Sequence, residues 1–285
     1  MKAGMLSGLW YVAEGASLIE SLRRSAGLGF HYVDLHGVFH AGPRHLSRRD
    51  RIAVRRQLDS LGLVPRNYVL HALHNIPSAT EAERRENLDY LKEGVDLAVA
   101  WGVRQIMLNA GQWVHGMGRQ EAWALSVAFL RQVCDYAGER LVYIAQETEP
   151  YVWFLVPDLA SASAMAADVD RANFATLVDL GHMALARESA SDLSQVEHSV
   201  IHAHFSDHEP YRHTNQVIGT GCTPTADYLQ CLTSLEQHGW SERFGYEELV
   251  VSFELGSPGD TIADPDAWVR RSLEHVLTVA PDVSV

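Results

Sequence analysis

The segment Ile201–His213, IHAHFSDHEPYRH, begins with apolar and imidazole side chains in alternation, turns polar at Ser206–Asp207 and runs on into a loop. Alternation with a period of two is the mark of a β-strand. The polar turn therefore puts His204 and Asp207 at the strand's C-terminal end. Four of the chain's 15 histidines fall in these 13 residues. Reading outward in both directions finds the same grammar: a short apolar run, a polar loop, then an amphipathic helix. The strand candidates are KAGML, YVDL, YVLHA, QIMLN, LVYIAQE, FATLVD, VIHAHFS and LVVSFE, eight in all. Helical patterns cover Ser17–Ala26, Arg48–Leu61, Ala122–Tyr136, Asp227–Gln237 and Asp266–Val279. The best-marked helix is SATEAERRENLDYLKEGVDLAVAWG. There Ser78 and Glu81 have capping-box spacing, Leu88, Leu91, Val95 and Ala98 share a face, and Gly102 ends the run.

Strands that alternate with helices form parallel βαβ units with right-handed crossovers. Eight is the number that closes a barrel, so the chain reads as α/β, a single (β/α)8 TIM barrel domain spanning residues 1–285. An open doubly wound sheet is the alternative. It needs a phosphate-binding loop after an early strand, and none is present. The Gly pair in GTGCTP (Gly219–Pro224) lies late in the chain and has proline where a dinucleotide fingerprint needs glycine, so it reads as a loop turn.

Composition narrows the function. A net charge of -13 argues against a nucleic-acid surface, which needs local basic density. The basic run Arg44–Arg56 has the period of a solvated helix face. The three cysteines form no CxxC pair, which excludes a zinc knuckle or a disulfide framework, and Cys134 falls on the core side of a helix. The N-terminal stretch lacks an apolar run suited to a signal peptide or a membrane span, so a cytoplasmic location and no membrane partner are expected.

In a barrel of this kind, residues at the C-terminal strand ends converge on one mouth. The fifth strand ends with Glu147, the sixth with Asp179 and His182, the seventh with His204 and Asp207, the eighth with Glu254. A lone carboxylate at such a position is usually a helix cap. Three of them facing one cavity repel each other unless a cation neutralises them. With one imidazole, the set suits a divalent ion: Mn²⁺ first, with Mg²⁺, Co²⁺ or Zn²⁺ as alternatives. We therefore expect Glu147, Asp179, His204 and Glu254 to hold a metal, and Asp207 to orient the His204 ring. His202 reads as a core histidine and His208 as exposed. Glu149 shares the parity of Glu147, but Pro150 marks the strand as already turned.

The motifs ETEP, VDLGH, HAHFSD…YRH…IGTG and FELG, in this order on successive strands, resemble the xylose isomerase-like barrel superfamily, in particular its sugar isomerase/epimerase branch. That branch includes hydroxypyruvate isomerase and the ketose 3-epimerases. The resemblance implies the same four ligands, with Glu147 and Glu254 also as catalytic acid and base. It further implies His182 and Arg212 as substrate-binding residues, a small carbohydrate substrate, and a homo-oligomer, dimer or tetramer. Two positions depart from the pattern: Trp153 stands where the 3-epimerases carry a further glutamate, and Asp34 where a glutamate is commoner. The related endonuclease IV branch needs extra histidines, and the fourth strand here ends in Asn109 instead. In the first half, His71 and His74 are each placed either to bond a sugar hydroxyl or to orient a loop. Trp113, with Trp10 and Trp153, either stacks on a sugar or packs the rim. The glycines around Met117 give that loop hinge capacity.

The expected function is isomerisation or epimerisation of a small keto sugar or hydroxy-keto acid through an enediolate, with Glu147 and Glu254 moving the proton. Its alternative is a metal-dependent lyase or dehydratase, including one that cleaves C-glycosides. A third reading is a barrel that binds without catalysis.

Overall fold

The strand segments FATLVD and VIHAHF are buried at every position, the pattern of strands covered on both faces. The computed structural model describes residues 1–285 and closes these strands into a parallel barrel in sequential order, β1 to β8. The strands are β1 Lys2–Leu6, β2 Tyr32–His36, β3 Val64–Val69, β4 Gln105–Leu108, β5 Tyr143–Glu147, β6 Phe174–Asp179, β7 Val200–Phe205 and β8 Val250–Phe253. Closure runs through β1 and β8, with Lys2 beside Val250 and Met5 beside Phe253. The surrounding helices are α1 Gly8–Glu14, α2 Leu18–Gly27, α3 Arg48–Leu61, α4 Glu81–Trp101, α5 Arg119–Gly138, α6 Leu159–Val169, α7 Leu180–Leu185, α8 Thr225–Gln237, α9 Trp240–Phe244 and α10 Pro265–Val279. A 3-10 turn, Ala190–Gln195, precedes β7. No helix is long and apolar enough to cross a membrane.

All eight strand candidates are strands, and the five helical patterns coincide with α2, α3, α5, α8 and α10 to within a few residues. Three details differ. The capping box of α4 is built by Thr80 and Glu83, because Ser78 is engaged by the Asn75 amide in the preceding loop. Strand β3 starts four residues earlier than the apolar pattern, at Val64, and includes Pro65, Arg66 and Asn67. Arg66 is tolerated inside because its guanidinium lies 3.2 Å over the Tyr246 ring and 5.5 Å over Trp240. The short helices α1, α7 and α9, and the longer α6, leave no distinct period in the sequence.

Two register shifts position the site. One, between Val33 and Asp34, sets Asp34 beside Asn67. The other, between Thr176 and Leu177, sets Asp179 beside His204. Lateral partners in parallel strands point to the same face, so each shift puts two polar side chains on the barrel's interior side. Asp34, Asn67, His202 and His204 are all fully buried there.

Outside the barrel, α4 approaches β3 so closely that only hydrogen fits at Gly94. A Cβ there would overlap Leu70 Cδ2. Helix propensity alone predicts that Gly94→Ala stabilises by about 0.5–1 kcal/mol. Overpacking against a buried leucine opposes this at about 1–3 kcal/mol. We expect net destabilisation, read as a lower urea midpoint at unchanged m-value; an equal or higher midpoint would show that Leu70 yields.

Candidate metal centre and active-site cleft

Glu147 and Asp179 end β5 and β6, His204 is the penultimate residue of β7, and Glu254 follows β8. Each offers one ligand atom, and the four atoms lie within 4.8 Å of one another. His204 Nδ1 is 3.1 Å from Glu147 Oε1 and 3.0 Å from Glu254 Oε2. Neighbouring ligands of an octahedral ion stand about 3 Å apart when each metal–oxygen bond is about 2.1 Å, so this spacing suits one ion. A second observation agrees. Asp179 Oδ2 is buried with no protein partner, whereas its Oδ1 accepts from the Ser206 hydroxyl at 2.6 Å and the His182 backbone N–H at 2.9 Å. A buried carboxylate oxygen without a partner is costly, and a cation is the natural partner for three acidic groups. The residues fit a divalent metal.

The electrostatics of the cluster follow from its burial. Desolvation raises Glu147. It would raise Glu254 too, but the His204 hydrogen bond and charge hold that carboxyl well below its usual range. For His204, burial works to lower the pKa and is overcome by hydrogen bonds to Asp34, Glu147 and Glu254, which hold it well above the ordinary histidine value.

Beneath the cluster, His204 turns its Nε2 to Asp34 Oδ2 at 3.1 Å. The same oxygen meets His202 Nε2 at 2.7 Å and the Asn67 amide at 3.4 Å. Asp34 is thus the carboxylate that orients the imidazole and leaves Nδ1 to the cluster. The sequence pointed to Asp207 for this part, and the structure corrects it. Asp207 instead accepts backbone N–H groups of Gly219 (2.9 Å), Gly221 (2.7 Å) and Thr223 (3.0 Å), pinning the loop after β7. A Cβ on Gly221 would collide with that carboxylate, and Gly219 has a positive φ of 88° against the His275 ring, which together account for the two glycines of GTG.

The pinned loop also buries His208, contrary to the exposed position expected for it. His208 Nδ1 accepts from the backbone N–H groups of Thr214 (3.0 Å) and Asn215 (3.2 Å). Its proton is therefore on Nε2, 2.8 Å from Ser206 Oγ, and Ser206 in turn donates to Asp179. His208 approaches His182 and His213 closely enough to suggest a second metal site. Its one lone pair is already taken by the backbone, so it has none to offer an ion.

Over the cluster opens a cleft of two lobes, about 300 and 360 Å³, which share Leu6, His36, Tyr151, His213 and Glu254. His182 lines it, with Nδ1 donating to the Thr148 carbonyl at 2.7 Å and Nε2 at 2.7 Å from His213 Nε2. Burial works against a charge on His182, but Asp179, Glu149 and Glu147 outweigh it and push the ring up to about 9. His71 also lines the cleft, as expected for one of the two alternatives. Burial depresses it to about 4, and the neighbouring His36 to about 3, so both present neutral imidazoles.

Four expected residues stand elsewhere. Arg212 is exposed and outside the cleft, because the turn at Glu209–Arg212 throws it outward and brings His213 in. Trp113 donates its indole N–H to the Met117 carbonyl and packs the rim loop. Trp10 is buried against α10 through Asp266. His74 pairs with Glu86 at the start of α4, while Trp153, stacked on Tyr151 at 4.6 Å, does line the cleft. Four residues that the structure brings to the cluster or its cleft were not among the sequence candidates: Asp34, His36, Glu149 and His213. Glu149 lines the cleft beyond the strand end, where burial, above all, pushes it up to about 8. The parity of Glu149 with Glu147 was the signal for it; Pro150 argued the other way.

If Asp34 holds the His204 ring, Asp34→Asn should weaken divalent-metal binding about 10–100-fold while the chain still folds. A chelator competition titration reads this directly. Unchanged affinity would remove Asp34 from that role.

Comparison with known proteins agrees with this architecture. No curated protein matches by sequence. Among solved structures, the IOLI protein with a binding zinc atom aligns with a TM-score of 0.80 at 16% identity, over 99% of each chain. D-psicose 3-epimerase from Clostridium cellulolyticum H10, with D-tagatose, gives 0.80 at 18% identity, over 98% of this chain and 99% of that one. The E. coli 3-keto-D-glucoside 4-epimerase gives 0.77 at 17%, again over 98% and 99%. At such identities these likenesses speak for the fold. The family model described as xylose isomerase-like TIM barrel matches residues 22–278, nearly the whole barrel, and the chain belongs to that family.

Proposed function

We propose that the chain is a divalent-metal-dependent isomerase or epimerase of a keto sugar or hydroxy-keto acid. The observation that carries this reading is the pair Glu147 and Glu254, which meet at one imidazole and both line the cleft. Two of the similar structures are named as sugar epimerases and one holds zinc, which supports the same class. The donor set favours Mn²⁺, with Mg²⁺, Co²⁺ and Zn²⁺ to be compared.

A bound ion would supply Lewis acidity, drawing electron density from a substrate carbonyl and so easing loss of the neighbouring proton. The side chains do the rest. Glu147 and Glu254 come from strands on either side of β6 and β7, so they can face a substrate carbon from two directions. One glutamate, as carboxylate, takes the proton from the carbon beside the carbonyl. For epimerisation the other, already protonated, delivers its own proton from the opposite face. For isomerisation the first hands its proton to the former carbonyl carbon while the hydroxyl proton passes to the neighbouring oxygen. Return to the same carbon from the opposite face gives the epimer; return to the former carbonyl carbon gives the isomer. His182, held by Thr148, and the neutral His36 and His71 are placed to fix substrate oxygens. Glu149 adds a carboxyl beside them.

Purified protein should contain close to one divalent ion per chain by elemental analysis, and chelation should abolish turnover. In D₂O, a ketose panel should show deuterium exchange at the carbon next to the carbonyl and an isomeric product. Glu147→Gln and Glu254→Gln should each cost at least about 10²–10⁴-fold in rate with circular dichroism unchanged. Release of water or an aglycone would identify a lyase instead. Absence of both metal and exchange would leave a binding barrel.

A further inference from the structure

The two lobes of the cleft differ in character. The metal-side lobe carries Glu147, Glu149, His71 and His182. The other lies between α1, the loop after β2 and the loop after β8, and its apolar wall comes from Leu9, Phe39, Leu255 and Pro258. That wall is stiff: Phe39 lies face to face with His36 at 4.0 Å, with Tyr11 stacked behind it at 5.3 Å. Two residues of the same lobe hold buried polar atoms with no protein partner, Asn215 Oδ1 and Ser257 Oγ. Asn215 is fixed in place by donating to Glu254 at 3.0 Å. Those two atoms lie beneath the surface of the lobe, and the polar side chains that line it include His36, His213 and Glu254; set against the apolar wall, they match the amphipathic faces of a sugar ring. Each lobe alone is near the volume of about 300 Å³ at which small-molecule sites begin, so a single monosaccharide leaves one of them unfilled.

We infer that the substrate carries two rings: a keto sugar seated over the metal centre, and a second glycosyl ring attached to it and lodged in the lobe lined by Phe39, Leu255 and Ser257. This rests on the sugar-isomerase reading above for the reacting ring. The proton transfer is unchanged by it; the second ring is bound and not cleaved. The shared residues Tyr151, His213 and Leu6 stand at the junction between the rings.

Isothermal titration of the Mn²⁺-loaded protein with D-fructose, and with the keto-disaccharides lactulose and isomaltulose, separates the alternatives. At least one disaccharide should bind about tenfold or more tightly than fructose, since the second ring adds buried apolar area and hydrogen bonds. Pro258→Trp, at the exposed rim, and Ser257→Phe each fill the second lobe. Either should remove that advantage and leave fructose affinity within about twofold. Equal affinity for one-ring and two-ring sugars, or an advantage that persists in both variants, would overturn the inference. A disaccharide advantage in a protein that exchanges no deuterium would sink the isomerase reading and leave only the two-ring binding cleft.

Discussion

Three acidic side chains and one imidazole share a space less than 5 Å across at the C-terminal end of this barrel. Like charges so close and so buried are unfavourable by themselves, whatever dielectric is assigned to the site. Much of the surrounding polar structure manages that cost. Asp34 balances His204 from below, Ser206 and the His182 backbone take one oxygen of Asp179, and Asn215 takes one oxygen of Glu254. What is left unsatisfied points to a cation. The barrel supplies the geometry cheaply, because the ends of parallel strands meet at one mouth without any long connection.

The sequence made this cluster legible because its members are local. Each sits at the end of an apolar run of recognisable length, and four successive runs end the same way. Period and count are properties of neighbours along the chain, and barrel closure follows from them. The contacts that were missed join distant segments. Asp34 lies 170 residues from His204, and nothing in YVDL marks that aspartate as the partner of a histidine on β7. The register shift beside Asp34 and the one in β6 determine which side chains become lateral neighbours. A one-residue slip reverses the face of a side chain, and no local pattern reports such a slip.

The loop after β7 is instructive in the opposite sense. Its composition, rich in histidine, threonine and glycine, suggested ligands and exposed polar groups. Its structure is organised by one carboxylate, Asp207, which binds four backbone N–H groups within the next sixteen residues. That inward fold buries His208 and selects His213 over Arg212 as the residue facing the cleft. Arg66 teaches the same lesson at the other end of the barrel: a charge inside β3 looks like an interruption until two aromatic rings from the β8 side cover it.

His208 receives two main-chain donors on one nitrogen and passes a proton toward Ser206 from the other. The ring therefore behaves as a rigid strut between the backbone at Thr214–Asn215 and the carboxylate of Asp179. If that backbone rotates, the strut either moves with it or is left with a bare lone pair in a dry interior. Loop posture and the surroundings of a deep aspartate are thus geared together, so that under the proposed metal-dependent reading a change at the surface of this molecule would reach one of the side chains proposed to hold the ion.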